Sequence, residues 1–250
     1  MAGHSKWSKI KRQKAVTDKA RGKLFAKLGR EIAVAAREGG GDLNFNPRLR
    51  TAVDNARSQS MPNENIERAI KRGTGDLPGV SFEEVTYEGY GPGGVAIFLE
   101  CLTDNPKRTV AEIRHLFSEK SGNLGQSGSV QWMFERKGQI YVDSEKSDED
   151  MTLEFALEAG VEGFDSEEGM YVMSTTAGEF HAVVESLREA GIPITAAELG
   201  MVPTTMIEVK GRDGEKVIDI LNALDEHEDV LKVYSNVDLE EADWTEMESN

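Results

Sequence analysis

The chain has 250 residues, with 29 Lys and Arg against 45 Asp and Glu for a net charge of −16, and one cysteine. That length allows two or three domains with modest cores. A single cysteine excludes an intramolecular disulfide, and no apolar run approaches the ~20 residues a membrane span needs. The charge is segregated: residues 1–76 hold 17 Lys and Arg against 8 Asp and Glu, net +9, while the remainder holds 12 against 37, net −25. A basic head on an acidic body is a device for one polyanion, and nucleic acid is the expected one.

Residues 1–16 are polar, basic and nearly free of aliphatics, so they read as a mobile arm. No apolar signal-peptide core is visible, and Ala2 stands where myristoylation needs glycine. A mitochondrial presequence is disfavoured because the apolar spacing runs straight into a helix. From Thr17, residues Ala20, Leu24, Leu28 and Ile32 recur at helical spacing until Gly39-Gly40-Gly41. Asn46-Pro47 opens a second helix with Leu49, Val53 and Ala56 inward. Asn63 is expected to cap a third, with Ile66, Ala69 and Ile70 inward and Gly73 ending it. Gly73 to Gly79 is a linker.

Beyond it the period changes to that of strands. Phe82–Tyr87 and Gly94–Leu102 read as strands joined by the turn EGYGPGG. A helix over Thr109–Glu119 places Val110, Ile113, Leu116 and Phe117 on one face, and Ser129–Phe134 reads as a strand. Gln139–Val142 starts a β-α-β-β-α-β series with helices near 148–159 and 178–190 and strands near 163, 169–174 and 194–199. Thr204–Val209, a helix over 214–225 and a strand over 230–237 resume the earlier pattern. The expected fold is therefore multidomain, α and α+β. A three-helix bundle with its basic arm (1–76) precedes a split α+β domain (80–135 plus 203–238). A second α+β domain with ferredoxin-like β-α-β patterns (136–202) is inserted in it, and an acidic tail (239–250) follows.

The search for catalytic chemistry is negative. His4, His115, His181 and His227 form neither HExxH nor a Cys/His ligand spacing. GQSGS at 125–129 resembles a nucleophile elbow, but Ser129 stands where glycine is needed and a strand follows instead of a helix. GYGPGG resembles a phosphate loop but leads into a strand, so it reads as a turn needing positive φ. The acidic run Asp143–Asp150 reads as a solvated helix entry, and Cys101 as a buried, inert thiol. No enzyme activity, cofactor or metal is expected, and the location expected is the cytoplasm.

The search for binding chemistry is positive. Lys6, Lys9, Lys11, Arg12 and Lys14 make a dense arm, with His4 and Trp7 inside it. Lys19, Arg21, Lys23, Lys27 and Arg30 continue the charge onto the first helix, away from its apolar stripe, as a free face for phosphates. Arg48 and Arg50 extend the set, with Arg57, Arg68, Lys71 and Arg72 beyond. Trp7 either stacks on a base or docks on the bundle. Lys107 and Arg108 form a second, smaller basic spot at a helix start, where cations oppose the helix dipole.

MAGHSKW, ARGKLFAKLGREIAVAAREGG, NPRLRTAV, NENIERAIKRG, YEGYGPGGVA, LTDNPKRT and GSVQWMF together resemble the YebC family in order and spacing, across essentially the whole chain. The resemblance implies an N-terminal helical bundle, two α+β domains with the third inserted in the second, and no catalysis. It implies DNA-binding transcriptional regulation, as for bacterial members. It also implies translational activation, as for mitochondrial relatives, or ribosome-associated help with proline-rich synthesis. The family's head falls on Gly3, His4, Ser5, Lys6, Trp7, Lys9, Lys11 and Lys14, its central loop on Tyr87 to Gly94, and its basic helix entry on Lys107, Arg108 and Thr109. Two departures stand out: DNPKRT replaces the familiar DNRNRT, and Ser60 stands where Asn is common. The expected partners are DNA or ribosomal RNA, with ribosomal proteins facing the acidic body. A protein-interaction module whose basic head meets an acidic partner is the alternative, and nothing in the residues fixes an oligomeric state.

Overall fold

A computed structural model describes residues 18–79, 81–167 and 169–239. Seven helices and ten strands lie in this range. The fold is multidomain α+β, as expected. Its described residues form two compact units, one within Met1–Arg30, Gly79–Glu135 and Val202–Asn250, the other within Glu31–Pro78 and Arg136–Met201.

Helix α1 (Asp18–Gly39) crosses from the first range to the second. In the second unit it is followed by α2 (Pro47–Ser58) and α3 (Asn63–Thr74). Asn46 caps α2 by accepting from the Leu49 amide at 3.0 Å, and its Nδ2 donates to Ala35 O and Gly40 O. Helix α3 departs from expectation at both ends: Pro62, not Asn63, is the N-cap, and the left-handed C-cap is Gly75. Gly73 is helical for a packing reason. A Cβ there would lie 2.3 Å from Ala33 O, so the glycine is what lets α3 approach α1.

The inserted series is built from β4 (Phe134–Asp143), α5 (Glu149–Glu158), β5 (Gly163–Glu167), β6 (Met170–Thr176), α6 (Phe180–Glu189) and β7 (Ile194–Pro203). Its sheet order is β5-β6-β4-β7, the ferredoxin-like arrangement in which each β-α-β unit is split by a strand of the other. Ile140, Val142, Met173, Phe180 and Leu187 are buried between helices and sheet. Asp148 accepts from the Met151 amide and caps α5, so the acidic run is a helix entry.

In the first unit, β1 (Glu83–Tyr90) and β2 (Ala96–Thr103) pair antiparallel from Glu83↔Thr103 to Tyr90↔Ala96. The turn between them is shorter than EGYGPGG, because Glu88, Gly89 and Tyr90 belong to β1. Gly93 and Gly94 take φ of 69° and 76°, the positive values expected of the turn. Helix α4 (Pro106–Glu119), the short β3 (Asn123–Leu124), β8 (Ile207–Val209), α7 (Arg212–Glu226), β9 (Val230–Ser235) and β10 (Val237–Leu239) complete the unit. The sheet order is β3-β1-β2-β9, and β8 pairs with β10 in parallel. Ile97, Leu99, Ile113, Phe117, Ile220 and Leu224 form the core. Cys101 is buried there, and burial, assisted by Asp229, pushes its thiol up to about 12, which keeps it inert.

The strand expected over Ser129–Phe134 starts only at Phe134. The Glu88 carboxylate takes the amides of Gly128, Val130 and Gln131 at 2.6, 2.7 and 2.8 Å. Two of the expected strand's donors are thereby withdrawn from any ladder, and the segment folds over Glu88 instead.

Candidate nucleic-acid interface

His4, Lys6, Trp7, Lys9, Lys11, Arg12 and Lys14 lie outside the described residues. Of the helical cations, Arg21 is exposed. Lys19 is on α1, within the stretch whose side chains are not described.

Lys27 and Arg30 are arranged differently from a face open to phosphates, whereas Lys23 remains exposed. Lys27 and Arg30 are only 12 % and 11 % exposed. Lys23 Nζ donates to Glu226 O at 3.5 Å, Lys27 Nζ to Asp225 O, and Arg30 Nη1 to Glu228 O at 2.8 Å. Arg30 also pairs with Glu228 Oε1 at 2.7 Å and stacks over the Phe82 ring at 5.4 Å. The physical reason lies at the end of α7. Its last carbonyls have no intrahelical donors and carry the negative end of the helix dipole. Lys23 and Lys27 of α1 reach two of them, and Arg30 takes the Glu228 carbonyl just beyond the helix.

At the centre of this contact sits Asp229, whose side chain is 5 % exposed. Its Oδ2 accepts from Arg108 Nη2 at 2.8 Å, Thr109 Oγ1 at 2.8 Å and Thr103 Oγ1 at 3.2 Å. Arg30 Nη1 lies 3.4 Å from Oδ1. Burial pushes this carboxyl up, but donation from Arg108, Thr109 and Thr103 outweighs it and holds the group below the ordinary aspartate range. Arg108 thus turns back into the fold. It also meets Asp104 at 3.1 Å, although it remains 45 % exposed. Lys107 beside it is exposed and has no partner among the described residues.

His227 Nδ1 accepts from the Asp229 amide at 3.1 Å, and Nε2 faces Glu112 Oε2 at 3.1 Å, so the neutral ring carries its proton on Nε2. Glu112, His227 and Asp229 come close enough to suggest a metal triad. The donor set does not suit one: two guanidinium groups and two hydroxyls already engage the Asp229 carboxylate, and a cation there would face Arg108 and Arg30.

Arg48 and Arg50 are in the second unit. Arg48 pairs with Glu38, and Arg50 pairs with Glu185 at 2.8 Å while donating to Leu43 O and Asn44 O. Arg50 therefore clamps the turn before α2. Nearby, Thr51 Oγ1 meets His181 Nδ1 at 3.3 Å, and burial, then Arg50, pull that imidazole down from its ordinary value.

The residues missed by periodicity are Glu88 and Trp132. Trp132 lies in a short 3-10 turn (Gln131–Met133) and is 71 % exposed. The available signal was compositional: Gly125 to Met133 contains no charged residue in a chain that is 30 % charged.

A family model described as the TACO1/YebC protein N-terminal domain matches residues 5–76, and one described as the TACO1/YebC second and third domain matches 82–237. A probable transcriptional regulatory protein of Desulforapulum autotrophicum is 52 % identical over 239 residues, covering 96 % of this chain and 97 % of that one. One of Persephonella marina is 53 % identical over 241 residues, covering 96 % of each. The crystal structure of a conserved hypothetical protein from Aquifex aeolicus aligns with a TM-score of 0.83 at 47 % identity, covering 90 % of this chain and 93 % of that one. The two family models together match most of the chain and these relatives align along nearly their full length, so the chain belongs to the TACO1/YebC family.

Proposed function

We propose that this protein is a non-enzymatic regulator of gene expression that acts by binding nucleic acid through residues 1–76, with 80–135 plus 203–238 and the inserted 136–202 as its body. The observation that carries the reading is the charge segregation, +9 on residues 1–76 against −25 on the rest. An acidic body repels a long polyanion everywhere but at the head, which favours a confined docking site. The ribosome offers one, with RNA phosphates for the arm and basic proteins for the body. We therefore favour the ribosome-associated form over binding at a DNA operator; assistance to proline-rich synthesis is what the family resemblance implies for that form.

Within this reading the affinity comes from His4, Lys6, Trp7, Lys9, Lys11, Arg12 and Lys14, with Lys19, Arg21 and Lys23 of the first helix following them in the chain. Lys107 is a secondary contact. Lys27, Arg30, Arg48, Arg50 and Arg108 contribute less, since their cationic ends are engaged within the protein. The test is titration of the full chain on ribosomes and on random and promoter duplexes. A variant with Lys6, Lys9, Lys11, Arg12 and Lys14 changed to Glu serves as comparison. The variant should lose most of its affinity, and the log–log salt slope should flatten by about 3.5–4.5 if all five contact phosphates. Unchanged, salt-insensitive binding overturns the proposal. Duplex binding that depends on sequence by roughly 10³ or more, without ribosome association, moves the function to transcription.

A further inference from the structure

We infer that Trp132 is a stacking platform for one unpaired nucleobase, at a position outside the basic head. The inference rests on the nucleic-acid reading and deepens it, adding a base contact to the phosphate contacts of the arm.

The first observation is that the indole is held in place while remaining 71 % exposed. Its Nε1 donates to Ser129 O at 3.1 Å, and the same carbonyl accepts from Tyr90 Oη at 2.8 Å. Glu88, 3 % exposed, holds the amides of Gly128, Val130 and Gln131 from beneath. On the far side, Thr204 donates to Met133 O through its amide at 2.8 Å and its hydroxyl at 3.0 Å. Val130, fully buried, pins the middle of the loop. Gly128 turns the chain at φ +84°, which a side chain would resist. A large aromatic ring left in water gains nothing for the fold. A loop fixed at both ends and in the middle removes the entropic cost of presenting it.

The second observation concerns what the loop can recognise. Gly125 to Met133 bears no charge, so no side chain there draws in a phosphate or a charged protein surface by Coulomb attraction. Nor is the loop an anion nest, because Glu88 already consumes the convergent amides. What it offers is a π face with its polar edge satisfied, in a loop that also carries the exposed Gln131, next to it in the chain, and the exposed Gln126. Neither amide group has a partner among the described residues. A flat ring to stack on indole and a hydrogen-bonding edge for primary amides together describe a nucleobase. The base must be unpaired, since in a duplex both its faces are stacked.

The test separates this contact from the arm. Full-length protein is titrated with two fluorescein-labelled probes of equal charge, an octauridylate and an abasic octamer. Thermal melts show that each variant is folded. Trp132→Ala should weaken the octauridylate about tenfold, the loss of one stacked base, and leave the abasic chain unchanged. Trp132→Phe should recover most of the difference. Equal weakening of both probes, or of neither, overturns the inference. So does a decaproline peptide that binds through Trp132 while the octauridylate ignores the substitution, because the platform is then a peptide site. If the wild-type protein binds neither probe, the inference is overturned, while the nucleic-acid reading is decided separately by the ribosome and duplex titrations.

Discussion

Asp229 and Glu88 are both buried carboxylates of the same unit, 4 % and 3 % exposed as residues, yet they are neutralised in opposite ways. Asp229 is held by side chains from α1, α4 and the end of β2: Arg30, Arg108, Thr109 and Thr103. Glu88 is held by three backbone amides of one loop. The first arrangement ties distant segments together by charge, and its failure should be felt across the unit. The second uses peptide dipoles within about forty residues of chain, and its failure should stay local. One carboxylate is therefore a tertiary lock and the other a loop template. Each can be broken separately.

The largest effect is expected for Asp229→Ala. Two guanidinium groups lose their anion and two hydroxyls their acceptor, which should cost about 3 kcal/mol or more in denaturant unfolding. A loss below about 1 kcal/mol would show that solvent replaces the lock. Acid should produce a weaker form of the same lesion. Because the folded carboxyl lies below the unfolded range, its contribution is fully present above the unfolded value near 4. It is then lost as pH falls through the depressed folded value. Unfolding titrations between about pH 5 and 2 should show this slope in the wild type and a flatter one in Asp229→Asn.

Glu88→Gln comes next, at about 2 kcal/mol, since one neutral oxygen replaces a charged acceptor of three donors. The sharper measurement is hydrogen exchange: protection of the Gly128, Val130 and Gln131 amides should fall while β2 and β9 stay protected. Loss of protection throughout the sheet would make Glu88 a second tertiary lock and erase the contrast. The smallest effect is expected for Lys27→Met, which keeps the apolar stem but removes the cation at the end of α7. It should cost about 1 kcal/mol, with the salt dependence of a helix-terminus charge.

The basic residues of the first helix show where local pattern stops being informative. Periodicity separates Leu28 and Ile32 from Lys23, Lys27 and Arg30 correctly, and both apolar residues are buried. It is blind to what faces the polar side. That partner is the run 225–229, some 200 residues away in sequence. DNPKRT likewise read as a basic spot, because Asp229 is not adjacent to it in the chain. The same limit explains the missing strand over Ser129–Met133: its β-like composition yields to Glu88, 42 residues before Val130.

By itself, the sequence determined the order and type of nearly every element, the ferredoxin-like series, the positive-φ turn at Gly93-Gly94 and the buried thiol. These follow from spacing, caps and backbone sterics, which act over a few residues. Tertiary structure alone decided which charges remain available and which are spent inside the fold. It also set Gly73 as a helix contact, and lifted Trp132 into solvent over Glu88. Those outcomes depend on groups brought together by folding, where desolvation and hydrogen-bond geometry settle which pairing prevails.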